Sequence, residues 1–421
     1  MRIRGVRVDL DRLEKIEEWS LAEEQKALDQ VRHLTGVSVR VGDVWRAAAL
    51  VPIFEHLGIS LPKTPTGKPS IKKDIIAKID HPAAKALTQA RKVNKIRTTF
   101  ASSIREHETN GRIHCTFHQL RRTDEADDSE GGAAYGRLSC VLPNMQQQPA
   151  RDPETGPMWR SVYRPDEGAE WASLDFSQQE PKWLIHWAVL TGARHLGQAA
   201  FEAAVKARDA FRADPSTDSY DAFSKFTGLK RKDAKEVYLG RVYGMGGAKM
   251  SRKLGLETQW IERRGRRMEV AGDEAQGVID RFDNGVPYAQ AMAKLCEAQA
   301  KRMGFVRTYT GRRCRFPQDE GGNYDFTHKA LNRLIQGSSA CQVKETMVAI
   351  ARAGHQLQLQ VHDELDLSVR DSDEAREIAK IMVEAVPLEL PMKVDVELGL
   401  SWGESMKVGK PEKNYVWNLG D

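Results

Sequence analysis

His355-Gln356-Leu357-Gln358-Leu359-Gln360-Val361-His362-Asp363-Glu364-Leu365-Asp366-Leu367-Ser368-Val369 is the stretch whose reading decides the fold. Leu357, Leu359 and Val361 alternate with glutamines, and Leu365, Leu367 and Val369 alternate with polar residues. Period two over two short runs predicts two half-buried strands. His362-Asp363-Glu364 then forms the charged tip of an apolar hairpin, where carboxylates can hold a cation at the floor of a cleft. Acidic residues are equally at home in a solvated turn, so this stretch alone leaves both readings open. A second acidic strand end far upstream, Leu174-Asp175-Phe176-Ser177-Gln178-Gln179-Glu180, tips the balance toward the cation. Between the two lies a basic helix, Arg231 to Tyr243.

The chain has 421 residues, enough for a sizeable core and roughly three domains as a soft expectation. Formal net charge is +5, so the distribution of charge carries more information than its sum. No run approaches the ~20 apolar residues of a membrane helix. Met1-Arg2-Ile3-Arg4-Gly5-Val6-Arg7 is too charged for a signal peptide. Cys115, Cys140, Cys296, Cys314 and Cys341 show no paired spacing, which points to a reduced, cytoplasmic protein without a zinc module or disulfide framework.

Residues 8 to 34 have a helical apolar period without Gly or Pro, and Leu10, Leu13, Ile16 and Trp19 share one face. A second helical stretch around Val44 to Leu57 ends at Gly58, and Pro62 to Pro69 is loop chemistry. Between positions 63 and 105 eleven basic residues, Lys92 and Lys95 among them, meet only Asp74 and Asp80. Such a segment reads either as a solvated face or as a surface for a phosphate backbone, and it lacks the acidic partners that would balance a solvated face. Residues 123–132 read as an acidic surface loop, without the ligand spacing of a calcium loop. Segments near 194–212 and 271–303 are Ala-rich and helical, and Val394 to Leu400 alternates like a strand.

In the basic helix, Arg231, Lys235, Leu239 and Tyr243 stand at i, i+4, i+8 and i+12, so all four line one side. Two cations leading such a row suit a triphosphate. Tyr238, Leu239, Val242 and Tyr243 would expose too much apolar surface on a fully solvated helix. Phosphoryl transfer to a hydroxyl needs metals that activate the nucleophile and neutralise the leaving group. Two magnesium ions ~3.5–4 Å apart serve this, held by hard oxygen ligands. Asp175 and Asp363 are the candidate bridging carboxylates.

Taken in order, these motifs resemble the polymerase domain of the family A DNA polymerases, the DNA polymerase I type. The resemblance runs from Gly5-Val6-Arg7-Val8-Asp9 nearly to Trp402. Tyr135-Gly136-Arg137-Leu138-Ser139 with Pro143-Asn144-Met145-Gln146 looks like the segment that touches the primer terminus. Asp175 to Glu180 looks like the first metal motif, and Val361-His362-Asp363-Glu364 like the second. Arg231, Lys235, Tyr243 and Gly244 match the fingers helix; Thr310-Gly311-Arg312-Arg313 and Asn332 with Gln336-Gly337 match later segments. One such motif is weak; six in order are specific.

The resemblance implies a mixed α/β, right-hand polymerase fold with an antiparallel palm sheet. Thumb is expected over 1–108 (its first residues packing on the palm), palm over 109–190 and 321–421, and fingers over 191–320. It implies a nucleotidyltransferase that extends a primer with dNTPs, using two magnesium ions or manganese in their place. Asp175, Asp363, the Phe176 carbonyl and Glu364 would hold metal. Arg231, Lys235, Leu239, Tyr243, Gln178 and Glu180 would meet the nucleotide, Glu180 as the steric gate against a 2′-hydroxyl. Arg137, Asn144, Gln146, Asn332, Gln336, His362, Lys92 and Lys95 would meet DNA, partly through minor-groove acceptors common to all base pairs. The sequence departs from the family at Leu239, where a Phe or Tyr is usual, at Tyr220, which takes the place of a triphosphate-contacting His, and at His328, where DNA polymerase I has an Arg. No segment matches a proofreading exonuclease, so a phage origin is expected, with any exonuclease, helicase or single-strand-binding protein supplied separately. A single-subunit RNA polymerase and a catalytically inactive scaffold are the rivals. Glu180 argues against the first, and intact Asp175, Asp363, Arg231 and Lys235 against the second.

Overall fold

The computed structural model of the chain describes residues 1–120, 132–133, 135–150, 152–263 and 265–407. The acidic stretch 123–132, apart from Gly132, lies outside them. The helical period near the start becomes helix α1 (Leu10–Thr35). The Asp9 carboxylate caps it by accepting from the Arg12 amide, and Gly36 ends it at φ +67°. Helix α2 (Pro82–Lys95) lies along α1, and fully buried Glu24 ties the pair together. Arg97, Asn94 and the Gly42 amide all donate to its carboxylate.

This pairing accounts for part of the basic surplus of residues 63–105. The missing acidic partners come from outside that stretch: Glu24 for Arg97, Glu17 for Arg105 and Asp152 for Lys92, at 2.6, 2.8 and 2.7 Å. Arg91 is buried and donates to the carbonyls of Val44 and Ile71. Lys95 lies 5.5 Å over the Phe100 ring. Partners distant in sequence are invisible to a local count of charge. Near the start, Val6–Val8 pairs with Arg112–Ile113 and Tyr163–Arg164, which joins the first residues to the middle of the chain.

The frame of the site is one antiparallel sheet. Strand β1 (Glu170–Phe176) runs into helix α3 (Gln179–Thr191). Four helices in the next segment concern the site: α4 (Ser219–Thr227), α5 (Arg231–Val242), α6 (Gly247–Leu254) and α7 (Asp273–Gly285). Then α8 (Pro287–Met303) and α9 (Ala330–Arg352) lead to the hairpin β2 (Leu357–Val361) and β3 (Glu364–Val369). Helix α10 (Ser372–Glu384), β4 (Val394–Gly399) and β5 (Met406–Lys407) close the described chain. The sheet order is β2-β3-β1-β4-β5, antiparallel throughout.

Opposed residues in such a sheet share a face. Ala172, Leu174 and Phe176 of β1 join Leu365 and Leu367 of β3, Val394, Val396 and Leu398 of β4, and apolar side chains of α9 and α10 in one core. The opposite face carries Trp171, Ser173 and Asp175, flanked by Ser368, Asp366 and Glu364.

The hairpin exists, but its strands are not half-buried. All of β2 is buried, Gln358 and Gln360 included. A register shift between Leu357 and Leu359 sends Leu357 into the core with α9 and α10, and Leu359 and Val361 into the core around Trp159 and Trp171. Gln360 stays buried because it accepts from the Gln146 amide at 2.9 Å and donates to the His362 carbonyl at 2.5 Å. The Ala-rich stretch 271–303 is two helices, since Val286 and Pro287 interrupt the period. A two-stranded ribbon, Thr258–Arg263 with Arg266–Ala271, stands where no strand was expected.

Buried His186 of α3 accepts the Glu389 amide on Nδ1 at 3.1 Å, which requires a neutral ring. Burial pushes its pKa from 6.5 down to about 4. A depressed folded-state value gives stability that is complete above pH 6.5 and is lost as pH falls toward about 4. Urea unfolding across that window should show His186→Gln flattening the loss, because the amide oxygen still accepts and does not titrate. An unchanged slope would place the acid sensitivity elsewhere.

Candidate active site

Strand register carries three carboxylates to one end of the sheet. Asp175 stands opposite Glu364 on one side and Asp395 on the other. The two-residue turn after Val361 places Asp363 beside them, with His362 at φ +60° and the Asp363 carbonyl accepting from the Phe176 amide at 3.4 Å. Asp175 is pushed up to about 8, first by burial and then by Asp363, Glu364 and Asp395, with Lys235 pulling the other way. Asp363 is raised as well, first by burial, with Arg137 opposing. Crowded, partly desolvated carboxylates of this kind are the donor set of a hard divalent cation. Among the described residues no group of three or more His, Cys, Asp and Glu side chains is arranged to hold a metal by itself. Two carboxylates supplemented by backbone, water and phosphate oxygens is how magnesium is usually bound.

Glu364 is partly committed elsewhere: its Oε1 accepts from the Trp402 indole at 3.0 Å. Trp402 in turn stacks on Trp171 with ring centroids 6.0 Å apart. Asp366, two residues on, is fully buried and accepts from Ser173 at 2.6 Å and from Trp171 at 3.3 Å.

Helix α5 turns Ala234, Val237, Tyr238 and Val242 into the core, leaves Arg231 and Lys235 exposed, and packs Leu239 and Tyr243, half-buried, against the edge of that core. Lys235 and Arg231 lie over the buried Tyr220 ring of α4, at 5.6 and 6.0 Å. Arg231 also pairs with Asp218 and Asp221, and Asp218 is the N-cap of α4. At the far end of the helix, burial and then the Glu180 carboxylate hold the Tyr243 phenol well above its ordinary range. Glu180, in the first turn of α3, pairs with Arg137 at 2.7 Å. Arg137 also acts on Asp363, so one guanidinium serves both neighbourhoods.

The remaining candidates fall in two groups. Gln178, at φ +53°, donates to the Thr217 carbonyl and accepts from the Ser219 amide, both at 2.8 Å, so its amide anchors the start of α4. Gln146 is tied to β2 through Gln360, and Asn144 caps the short turn before it. Asn332 and Gln336 stand half-buried four residues apart on α9. Lys92 and Lys95, on α2, are engaged by Asp152 and Phe100. Three residues escaped the sequence reading. Asp395 follows from β4 alternation only once its register against β1 is known, and Asp218 from the Asp that precedes an α4-like period. Lys182, fully buried over the Phe211 ring and pushed down to about 8 by burial, carries no local signal at all.

The sequence model of the family described as DNA polymerase family A matches residues 47–404. The chain belongs to that family. A Pseudomonas phage M6 protein named DNA-directed DNA polymerase is 54% identical over 96% of this chain and 64% of its own length. A Salmonella phage PMBT28 protein named DNA polymerase DpoZ is 30% identical over 87% of this chain and 59% of its own. DNA polymerase I of Pseudomonas aeruginosa is 29% identical over 95% and 42%. The chain thus spans less than two thirds of these family A relatives, and the phage proteins among them support a phage origin. A solved structure described as the POL domain of Pol1 from M. smegmatis, in complex with DNA primer-template and dNTP, superposes with a TM-score of 0.73 at 24% identity. It covers 95% of this chain and 68% of that one, so the chain has the right-hand polymerase fold. Among the described residues no helix is long and apolar enough to cross a membrane.

Proposed function

We propose that this chain is a DNA-directed DNA polymerase that adds deoxynucleotides to the 3′-hydroxyl of a primer along a template. The observation that carries the reading is the opposition of two charge sets. Carboxylates crowd at the end of β1 and the β2–β3 turn, and the cation row of α5 reaches them, since Lys235 acts on Asp175. A triphosphate between the two sets satisfies both. In this reading residues 1–108 are the thumb, 109–190 and 321–421 the palm, and 191–320 the fingers. The enzyme works in the cytoplasm of a phage host, beside a separate exonuclease, helicase or single-strand-binding protein.

Asp175 and Asp363, with the Phe176 carbonyl and Glu364, would hold two magnesium ions, or manganese in their place, which supply nucleophile activation and charge neutralisation at the leaving pyrophosphate. Arg231 grips the terminal phosphate, exchanging Asp218 and Asp221 for a stronger anion. Lys235 offsets charge on the leaving group and can donate a proton to it. Glu180, held by Arg137 and backed by Tyr243, closes the space under the sugar and excludes a 2′-hydroxyl. That arrangement favours dNTPs over NTPs. Gln146, Asn144, Asn332, Gln336 and His362 face the terminal base pair.

Asp175→Asn and Asp363→Asn should each abolish extension of a labelled primer while leaving primer–template binding nearly intact. Extension within a few fold of the parent in either variant would sink the metal assignment. Lys235→Ala should cost roughly 10²–10³ in single-turnover rate, by analogy with a lost preorganised donor. Glu180→Ala should lower the dNTP over NTP ratio of kcat/KM. If that ratio stays put, discrimination against ribose lies outside Glu180.

A further inference from the structure

The ribbon of Thr258–Arg263 and Arg266–Ala271 is paired along its length, six residues to a strand, yet it buries little beyond its root. At the root, Ala271 packs against Gly247 of α6, and the Gly272 amide donates to the Glu257 carbonyl at 3.1 Å. Farther out, the described residues 259–263 and 265–268 are exposed. A two-stranded hairpin without a covered face is marginal in water. This one also shows Trp260, Ile261 and Met268 to solvent, at 57, 40 and 46% exposure.

Its charge is concentrated at the tip. The sequence there reads Glu262-Arg263-Arg264-Gly265-Arg266-Arg267, and the helix at the root adds Lys249, while its Arg252 and Lys253 pair with Glu269 and Glu236. Arg263 and Arg266 oppose one another, on the face that carries Ile261 and Met268. On the other face the Arg267 guanidinium lies 4.8 Å over the Trp260 ring. Like charges directly opposed across a ribbon destabilise it unless an anion lies between them. Basic side chains interleaved with an exposed ring are the equipment for unpaired nucleic acid, whose phosphates meet the arginines and whose bases stack on the ring.

The position supplies the strand. Helix α6 begins four residues beyond Tyr243, at the end of α5 remote from Arg231. In the proposed function Arg231 marks the phosphate end of that helix and Tyr243 the end beside the sugar and base. A strand of six residues reaches roughly 20 Å. We propose that the ribbon is a docking site for the unpaired template strand ahead of the primer terminus. The inference rests on the polymerase reading of the site. A duplex partner, a protein partner and a second copy of the chain are the occupants it excludes.

The test uses the intact chain and labelled primer–templates whose 5′ template overhang is about two or about twelve nucleotides, a single-strand site of ordinary size. The parent should bind the long overhang about tenfold more tightly. R263A/R266A/R267A should abolish that preference and leave short-overhang affinity within about twofold. It should also reduce the salt slope on the long overhang by about two, at ~0.7 per phosphate contact. Trp260→Ala, which keeps the charges, should remove part of the preference. A parent that extends primers without any overhang preference overturns the ribbon site and spares the polymerase reading. A parent that extends no primer overturns that reading instead. Equal loss on both substrates in the triple variant overturns the template docking in favour of diffuse charge, and a preference restored by filling the overhang with a complementary strand overturns it in favour of duplex.

Discussion

Mutual repulsion of carboxylates at one end of a five-stranded sheet is the constraint on which the rest of the structure depends. Strand register alone brings Glu364, Asp175 and Asp395 abreast, and the β2–β3 turn adds Asp363. Left to themselves, side chains in this position would turn to solvent. They cannot, because each strand is anchored on its other face by a core shared with α9 and α10. Hydrophobic burial on one face of the sheet therefore stabilises an unfavourable charge arrangement on the other. The compensation comes from outside the sheet, through Arg137 and Lys235.

Much of this was legible in the sequence, for a physical reason that differs from residue to residue. Arg231, Lys235, Leu239 and Tyr243 could be placed on one side of a helix because helical spacing is local and rigid. Asp175 and Asp363 could be paired only through motif order, since nothing local tells one acidic strand end that another lies beside it. The glutamines of β2 misled because alternation reports which face a side chain takes, and says nothing of what covers that face. Gln360 is buried with Gln146 reaching it from 214 residues away, and buried Gln358 donates to Asp166, 192 residues away. The same blindness hid Glu17, Glu24 and Asp152, which pair with Arg105, Arg97 and Lys92 of the basic segment 63–105. The ribbon escaped for the opposite reason: Thr258 to Ala271 pairs well but has no apolar alternation, because neither of its faces meets a core.

The cations of α5 and of the Arg137 segment are held by protein anions and an aromatic ring. Asp218 and Asp221 pair with Arg231, and Arg231 and Lys235 both lie over the Tyr220 ring. Arg137 and Glu180 satisfy each other at 2.7 Å. Such pairs are partly exposed, so each is cheap to exchange. Their value lies in geometry. A cation already held near its working position gives up little side-chain freedom when a better anion arrives.

Asp366 shows how the sheet keeps its charge at the tip. It is fully buried one alternation behind Glu364, and burial and then Glu364 push its carboxyl well above the ordinary range. Ser173 and Trp171 both donate to Oδ1, while Oδ2 meets no donor among the described residues. A neutral acid resolves this: Oδ2 then carries a proton and turns it toward the Glu364 carboxylate, whose Oε1 already takes the Trp402 indole. An ionised Asp366 would instead place a second negative charge directly behind the first, in a medium that screens poorly. Protonation of the inner carboxyl removes one repulsive neighbour from the outer ones, which face the cleft where α5 presents Lys235.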